Sequence, residues 1–159
     1  MRTMPGKPAQ PFTARQEKVG TVVIRLMSRL NTWVFRASGG RIGARFPGGA
    51  PVLLLTTIGR KSGQPQVAPL LYLQDGEHYV VVASKGGMSH HPLWFKNLEA
   101  NPTVEIEVGT RKLAATARRA TDEEKAALWP RLVAMYPSYA DYQARTPRNI
   151  PVVIVTPRA

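Results

Sequence analysis

The chain of 159 residues has the length of a single domain that can bury an ordinary hydrophobic core. It contains no cysteine, which excludes disulfides, thiolate nucleophiles and thiolate metal sites. Its histidines, His78, His90 and His91, have no carboxylates at the spacing of a metal site, so no metal is predicted. Any redox chemistry must therefore come from a bound organic cofactor.

The net charge of +12 is concentrated in the first part of the chain. Residues 1–61 hold 11 Lys and Arg against Glu17 alone, whereas residues 62–159 hold 11 against nine acidic residues. This asymmetry favours a polyanionic partner, which can be nucleic acid, anionic lipid or a small molecule. A surface that is basic only for solubility is the alternative.

The first element predicted along the chain is an amphipathic helix. Residues 1–13 contain three prolines and are interpreted as a mobile arm. Residues 14–36 carry apolar side chains at steps of three and four, which predicts a helix. Its basic side chains form a row on another face: Lys18, Arg25, Arg29 and Arg36. The helix either lies in a membrane interface with its arginines toward anionic head groups or packs on its own domain, and the charge favours the membrane.

The same helix predicts neither a membrane span nor a signal peptide. It has no stretch of about 18 apolar residues, and Arg25 interrupts the apolar run without a small-residue cleavage site after it. The sequence therefore predicts a cytoplasmic protein that is peripheral on the inner face of the plasma membrane.

Residues 50–159 predict a mostly β domain with helices inserted late. Six segments have strand character: Val52 to Ile58, Val67 to Leu73, His78 to Ala83, Val104 to Val108, Lys112 to Arg118 and Val152 to Val155. Hairpin turns are expected at residues 59–63 and at Asp75-Gly76. Thr121 and Glu124 form a capping box for a helix that Pro130 should kink or divide. Because few connections are long enough for parallel crossovers, an antiparallel barrel is predicted.

Two basic glycine turns are candidate anion sites. Residues 83–87, Ala-Ser-Lys-Gly-Gly, follow an apolar strand and precede a short segment of helical spacing. Glycine lets the backbone approach a ligand, and the first amides of a following helix favour an anion. Residues 59–63, Gly-Arg-Lys-Ser-Gly, form the second turn. Either turn alone is more often solvated, but together with the charge asymmetry they favour an anion site.

A group of tyrosines near the C-terminus is the remaining candidate. A spacing of three places Tyr139 and Tyr142 on one side of a helical turn, and Tyr136 lies just before it. Buried tyrosines usually provide packing and one hydrogen bond. The functional alternative is a set of phenolic proton donors that line a pocket.

Several ordered motifs give the sequence a family resemblance. They are residues 54–65 (LLTTIGRKSGQP), 83–87 (ASKGG), 92–98 with 100–102 (PLWFKNL and ANP) and 135–142 (MYPSYADY), preceded by 27–33 (MSRLNTW). The chain strongly resembles the deazaflavin-dependent nitroreductase family. The resemblance implies a six-stranded split β-barrel, like that of the flavin-dependent pyridoxamine phosphate oxidases, which binds coenzyme F420, an 8-hydroxy-5-deazaflavin. It also implies reduction of quinones and activated nitroaromatics, with membrane association through the N-terminal helix in some members.

The resemblance also implies residue roles. The coenzyme-binding residues would be Arg60, Lys61, Ser62, Gly63, Gln66, Pro69, Ala83, Ser84, Lys85, Gly86, Gly87, Trp94 and Asn97. The catalytic residues would be Tyr139, Tyr136 and Ser84, and the substrate contacts would be Trp94, Met88, Leu71, Tyr136 and Tyr139. Leu71 stands where the family has a tyrosine, and strand alternation points Tyr72 to the opposite face. Together with His91 in place of an asparagine, this change bears on the range of acceptors.

The resulting hypothesis is an oxidoreductase that passes a hydride from reduced F420 to an electron-poor acceptor stacked near Trp94. Tyr139, assisted by Tyr136 and Ser84, would bind the acceptor oxygen and donate a proton. A menaquinone-like acceptor fits membrane contact, and nitroaromatic or nitroimidazole compounds are further acceptors. One alternative is a flavin mononucleotide in the same barrel. The other is a basic nucleic-acid-binding barrel, which the sequence pI of 10.8 suggests and the aromatic content of 8% disfavours, so no nucleic-acid partner is predicted.

Overall fold

The computed structural model describes residues 10–40 and 49–158. The helices in these ranges are α1 (Ala14–Ala37), α2 (Leu93–Ala100), α3 (Asp122–Met135) and α4 (Ser138–Arg145). The strands are β1 (Val52–Ile58), β2 (Pro65–Leu71), β3 (Leu73–Asp75), β4 (His78–Val82), β5 (Thr103–Val108), β6 (Arg111–Arg119) and β7 (Val152–Pro157). Residues 1–9 of the predicted arm lie outside the described residues.

The strands form one antiparallel sheet that curls into a split barrel. Their order is β2-β1-β5-β6-β7-β4-β3. β2 and β3 occupy opposite ends of this order although Tyr72 alone separates them in the chain. The two edges of the sheet therefore come together at one residue, as closure of a sheet requires. The predicted β-barrel is confirmed.

The predicted number of strands is wrong by one. The segment predicted as one strand from Val67 to Leu73 is divided at Tyr72. On one side of this point Leu71 pairs with Val52 of β1, and on the other Leu73 pairs with Val80 of β4. The chain changes partner strands here while its residues stay extended. A pattern of alternating polarity does not reveal such a change of partner strand.

Two apolar clusters lie on the two sides of the sheet. The barrel-interior cluster receives side chains from most strands and from α2: Leu53, Leu55, Tyr79, Val81, Ala83, Trp94, Phe95, Leu98, Val104, Ile106, Ala115, Ala117, Val153 and Val155. The outer cluster lies between β4, β7 and the two late helices: Val80, Val82, Ala120, Leu128, Leu132, Tyr139, Ile150, Val152 and Ile154. β4 and β7 are buried on both faces, which explains their continuous apolar runs.

α3 begins at the predicted capping box and is not divided. The Thr121 hydroxyl accepts from the Glu124 amide at 3.2 Å, and the Glu124 carboxylate accepts from the Thr121 amide at 3.0 Å. The helix continues through Pro130 to Met135, so the expected division does not occur. Leu128 and Leu132, on either side of the proline, are buried in the outer cluster and hold the helix across the missing hydrogen bond.

α1 packs on the barrel through its polar side. Its inward residues are buried or half-buried and mostly small or polar: Glu17, Gly20, Thr21, Ser28, Thr32 and Phe35. Its large apolar side chains keep 43–69% of their surface exposed: Val19, Val22, Val23, Ile24, Leu26, Met27, Leu30 and Trp33. Such exposed apolar area marks an interaction surface. Among the described helices none is long and apolar enough to cross a membrane.

Candidate active site

The turn between β1 and β2 presents two cations to solvent. The Gly59 amide donates to the Gln64 carbonyl, and the Gly63 amide donates to the Gly59 carbonyl, both at 2.8 Å. Gly63 has a φ of +69°, a conformation that closes the turn and favours glycine. Arg60 and Lys61 lie at the exposed tip of this turn. The predicted hairpin turn is therefore a rigid support for two positive charges.

Asn97 fixes this turn to α2. Its side-chain oxygen accepts from the Arg60 amide at 3.1 Å, and its nitrogen donates to Thr57 at 3.1 Å and to Gln66 at 2.9 Å. The residue keeps only 3% of its surface exposed. Both of its donors and its acceptor are thus used inside the protein. Asn97 and Gln66, both predicted to bind the coenzyme, are connected by direct contact, and Thr57 is a partner that the sequence did not reveal.

The loop after β4 has the geometry of an anion nest. Ser84 is in the right-handed helical region, with φ −76° and ψ −38°, whereas Lys85 has φ +43° and Gly86 has φ +63°. An α-right residue followed by an α-left residue turns successive amides toward one point, where they bind an anion. The amides of Ser84, Lys85 and Gly86 donate to no other residue in the described ranges. The loop therefore offers three donors in addition to the Lys85 ammonium.

This nest differs from the cradle that the sequence suggested. The sequence placed the anion at the first amides of the helix that follows the glycines. The structure begins α2 at Leu93 and gives Lys85–Gly87 a 3-10 turn of its own. Position 87 in this turn requires glycine, because a Cβ there would lie 2.6 Å from the Tyr142 carbonyl oxygen. The amides of the loop itself are therefore candidate donors in addition to the first amides of α2.

The positive charges around the loop outnumber the one acid that acts on Lys85, which is Glu17. Partial burial lowers the pKa of Lys85, and the neighbouring Lys96, Arg148 and Arg25 lower it further. Among the described residues the ion pairs are Arg36–Glu107, His90–Glu17, Lys112–Glu105, Arg118–Glu124 and Arg131–Asp75. None of them uses Arg60, Lys61, Lys85 or Lys96. The site is therefore a concentrated positive field suited to a polyanion. Lys96 is a further basic residue that the sequence analysis did not select.

Glu17 fastens α1 to the same loop. Its carboxylate accepts from the Ser89 amide at 2.6 Å and from the Ser89 hydroxyl at 2.7 Å, and His90 Nε2 lies 3.1 Å away. Met88, buried beside Ser89, packs against Gly20 of the helix. The hydrogen bonds from Ser89 hold the pKa of Glu17 below its ordinary value of 4.5. The only acidic residue in the basic first part of the chain is thus the anchor of α1.

Docking of α1 is expected to weaken on acidification. The carboxyl has a lower pKa when docked than when free, so its stabilisation is complete above pH 4.5 and is lost as the pH falls through the lowered value. A Glu17→Gln protein should show about ten- to hundredfold less hydrogen-exchange protection than the parent at α1 amides at pH 7. The ratio of parent to variant hydrogen-exchange protection at these amides should approach one in acid. Glu123→Gln, an exposed acid on α3, is the matched control, and a ratio of one at pH 7 would contradict the anchor.

The tyrosines meet around α4. The hydroxyls of Tyr136 and Tyr142 are 3.1 Å apart, and the Tyr136 and Tyr139 rings meet edge to face at 5.0 Å between centroids. Tyr139 retains 4% exposure in the outer cluster, and burial raises its pKa far above the usual range. Burial, followed by the hydrogen bond shared with Tyr136, raises the pKa of Tyr142 to about 12. The raised pKa values of Tyr139 and Tyr142 keep these two phenols neutral at physiological pH.

The structure separates Trp94 from three other predicted substrate contacts. Trp94 is 9% exposed and belongs to the barrel-interior cluster, whereas Tyr136, Tyr139 and Leu71 belong to or pack on the outer cluster. Tyr72 turns the other way and packs edge to face on Tyr79, 5.4 Å between centroids. The predicted opposite orientation of residues 71 and 72 is confirmed. Pro69 is half-buried on β2, opposite Leu54 of β1.

The fold defines a class, the split-barrel proteins, and this one carries a basic hairpin turn and a lysine-containing nest. Within that class, the model of the F420H(2)-dependent quinone reductase family matches residues 27–157. The chain belongs to this family. The assignment confirms the predicted deazaflavin-dependent family of oxidoreductases, while action on nitro compounds stays a prediction.

Individual relatives agree with this assignment. The F420H(2)-dependent quinone reductases of Mycobacterium tuberculosis strains H37Rv and CDC 1551 are each 45% identical over 133 residues, which are 82% of this chain and 89% of the relative. The solved structure of an F420-H2 dependent reductase, FDR-A, is 45% identical with a TM-score of 0.62 over 66% of this chain and 93% of that one. A structure described as a domain-swapped dimer is 41% identical, with a TM-score of 0.64 over 80% and 95% of the two chains.

Proposed function

We propose that this protein oxidises reduced coenzyme F420 and reduces a quinone. The observation that carries the proposal is the nest at Ser84–Gly86, whose three amides lie beside Lys85, a cation that forms no ion pair among the described residues. F420 carries a phosphodiester and a glutamate tail, so it presents the polyanion that such a site requires. Between a deazaflavin and flavin mononucleotide as the coenzyme of this barrel, family membership favours the deazaflavin.

The binding roles follow from where the residues lie. The nest and Lys85 would hold the phosphate, while Arg60 and Lys61 would take the tail at the exposed turn. Ala83, Gly86 and Gly87 give the coenzyme access to backbone. Ser62, Gly63, Gln66 and Pro69 support the turn and the adjoining strand, and Trp94 and Asn97 flank the site from α2. The resemblance implied direct coenzyme contact for all of these residues, whereas the proposal gives Ser62, Gly63, Gln66 and Pro69 a supporting role.

Bound reduced F420 supplies a hydride to the acceptor. The protein's part is to align the acceptor and to stabilise the negative charge that develops on its oxygen. Tyr139 holds a proton on its phenol oxygen, because burial keeps the hydroxyl neutral. Tyr136 and Tyr142 share a hydrogen bond, which places both hydroxyls beside the Tyr139 ring. Ser84 adds a hydroxyl at the start of the nest.

The acceptor is proposed to lie beside the tyrosines rather than on Trp94. Trp94 is packed inside the barrel, whereas the Tyr136–Tyr142 pair is only partly buried. Leu71 packs on the same outer cluster and makes this side apolar, which suits a quinone ring. Nitroaromatic and nitroimidazole compounds are proposed as further acceptors, since their oxygens can use the same phenol donors.

The test is a steady-state assay with reduced F420 and a short-chain naphthoquinone, followed by the return of oxidised coenzyme absorbance. The expected result is oxidation that requires both the protein and the quinone. A nitroimidazole in a parallel assay tests the second acceptor class. Failure to oxidise reduced F420, together with a yellow purified protein that carries flavin, would overturn the proposal in favour of the flavin alternative.

We also propose that α1 binds the surface of an anionic membrane. Its exposed apolar residues lie on the side away from the barrel, and Lys18, Arg25 and Arg29 lie beside them. Arg36, the fourth residue of the predicted basic row, is paired with Glu107 at 2.8 Å. An apolar face flanked by free cations fits a bilayer interface with acidic head groups. A lipid-soluble quinone would then be met at the membrane.

Vesicle flotation distinguishes a membrane from other occupants of this face. The parent should float with phosphatidylglycerol vesicles and about tenfold less with phosphatidylcholine vesicles, because neutral lipid removes the attraction of the basic row. A Leu26→Gln, Leu30→Gln double variant should stay unbound, while Leu93→Gln, an exposed leucine on α2, should float like the parent. A parent that ignores both vesicles but is dimeric by light scattering, and becomes monomeric in the double variant, would assign the face to a second copy.

A further inference from the structure

The nest is enclosed by one side chain from the segment between α4 and β7. Arg148 donates from Nε to the Met88 carbonyl at 2.7 Å, from Nη2 to the Ser84 carbonyl at 2.7 Å and from Nη1 to the Ala83 carbonyl at 3.2 Å. Two of these carbonyls precede the α-left residues and one follows them. A single guanidinium therefore joins the two ends of the loop.

The same guanidinium makes a fourth contact, with a side chain. Its Nη1 lies 3.0 Å from Nδ1 of His91, and since a guanidinium can only donate, the imidazole nitrogen accepts. Burial and then Arg148 lower the pKa of His91, so the ring stays neutral and keeps its acceptor. The histidine that replaces the family's asparagine thus completes a ring of four acceptors around Arg148. The half-buried cation needs these acceptors because it has lost part of its water.

This arrangement determines where the loop amides point. The carbonyls of Ala83 and Ser84 turn to Arg148, which leaves the amides of Ser84 and Lys85 for the opposite side, while the Lys85 carbonyl accepts from the Met88 amide and orients the Gly86 amide. Lys85 is not a glycine, so its φ of +43° is disfavoured and requires outside support. Arg145 supports the middle of the loop by donating to the Gly86 carbonyl at 3.0 Å. Among the described side chains, only Arg148 spans both ends of the loop.

We propose that Arg148 is the positioning residue of the coenzyme loop: it holds the Ser84–Gly86 amides in the nest conformation that receives the phosphate, without touching the coenzyme itself. The inference rests on the proposed binding of F420 at this loop. A planar fork with donors on three nitrogens is necessary for this role, and a lysine cannot reach carbonyls on both sides of the loop at once. Charge alone is therefore insufficient.

The experiment measures the Kd of oxidised F420 by its fluorescence with the parent, Arg148→Ala, Arg148→Lys and Lys85→Ala. Both Arg148 variants should bind about 100-fold more weakly, as expected when binding groups are displaced by an ångström. Millimolar guanidinium should restore coenzyme affinity to Arg148→Ala but not to Lys85→Ala, a rescue that a general packing defect would not show. Arg158→Ala, at an exposed residue of the C-terminal end, should bind like the parent.

The outcomes distinguish failure of the Arg148 positioning role from failure of the proposed coenzyme site. Parent-like affinity in folded Arg148→Lys, with affinity lost in Lys85→Ala, would overturn the positioning role and leave the coenzyme site intact. Parent-like affinity in Lys85→Ala as well would show that the coenzyme does not use this loop. If Arg148→Ala fails to fold, Arg148→Lys decides, because it keeps the charge and changes only the geometry of donation.

Discussion

A Tyr139→Phe protein is expected to reduce quinone about 100-fold more slowly than the parent while binding F420 with unchanged affinity. A positioned proton donor contributes a factor of this order to turnover, and phenylalanine removes the donor while keeping the ring that packs in the outer cluster. The loss should appear in kcat rather than in the KM for the coenzyme, because the hydroxyl acts on charge that develops during hydride transfer. Stopped-flow measurement of coenzyme oxidation separates this step from product release.

Tyr79→Phe is the matched control for this substitution. Tyr79 is as buried as Tyr139, at 5% and 4% exposure, but it lies in the barrel-interior cluster. The Tyr79→Phe protein should have the same turnover as the parent. A Tyr139→Phe protein with parent turnover would assign Tyr139 to packing, and a large loss in Tyr136→Phe alone would transfer the donor role to the Tyr136–Tyr142 pair.

Replacement of Lys85 should produce a large loss of coenzyme affinity. A charge-assisted hydrogen bond contributes about 1.5–3 kcal/mol, so Lys85→Ala should raise the Kd of F420 about ten- to hundredfold. The difference from the parent should shrink at high salt, since the lost contribution is electrostatic. Fluorescence titration at two salt concentrations measures both effects.

Backbone strain must be distinguished from charge in this test. Lys85 has a φ of +43°, so Lys85→Gly relaxes the loop while it also removes the ammonium. Equal losses in Lys85→Ala and Lys85→Gly would assign the effect to the charge. Lys112→Ala, at an exposed lysine on β6, should bind like the parent. Parent affinity in Lys85→Ala would remove the ammonium from the coenzyme site.

Local patterns predicted most elements of this fold because each depends on neighbouring residues. Val52–Ile58 is predicted residue for residue, and Thr121 with Glu124 marks the start of α3. The division at Tyr72 was missed because it depends on which strands lie on either side, a property of the closed barrel. The helix at α1 was also predicted, but its direction of packing was not. That direction depends on Ser89, 72 residues away from Glu17.

In the candidate site, too, the sequence predicted some parts and not others. Motifs on continuous segments, such as residues 59–63 and 83–87, marked the basic turn and the nest. The residues that hold these segments in place are distant in sequence: Arg148 reaches Ser84 across 64 residues. In sequence Arg148 resembles any solvated arginine of a basic protein. Glu17 carried a usable signal, as a lone acid among 11 basic residues.

The most direct test of the whole account is an equilibrium titration of the purified protein with oxidised F420 at low salt, beside the same titration with flavin mononucleotide. Saturable quenching of F420 fluorescence, at concentrations where flavin mononucleotide does not compete, is the predicted result. Binding of flavin mononucleotide with no binding of F420 would contradict it, because the barrel and its nest would then serve a single phosphate rather than the deazaflavin and its acidic tail.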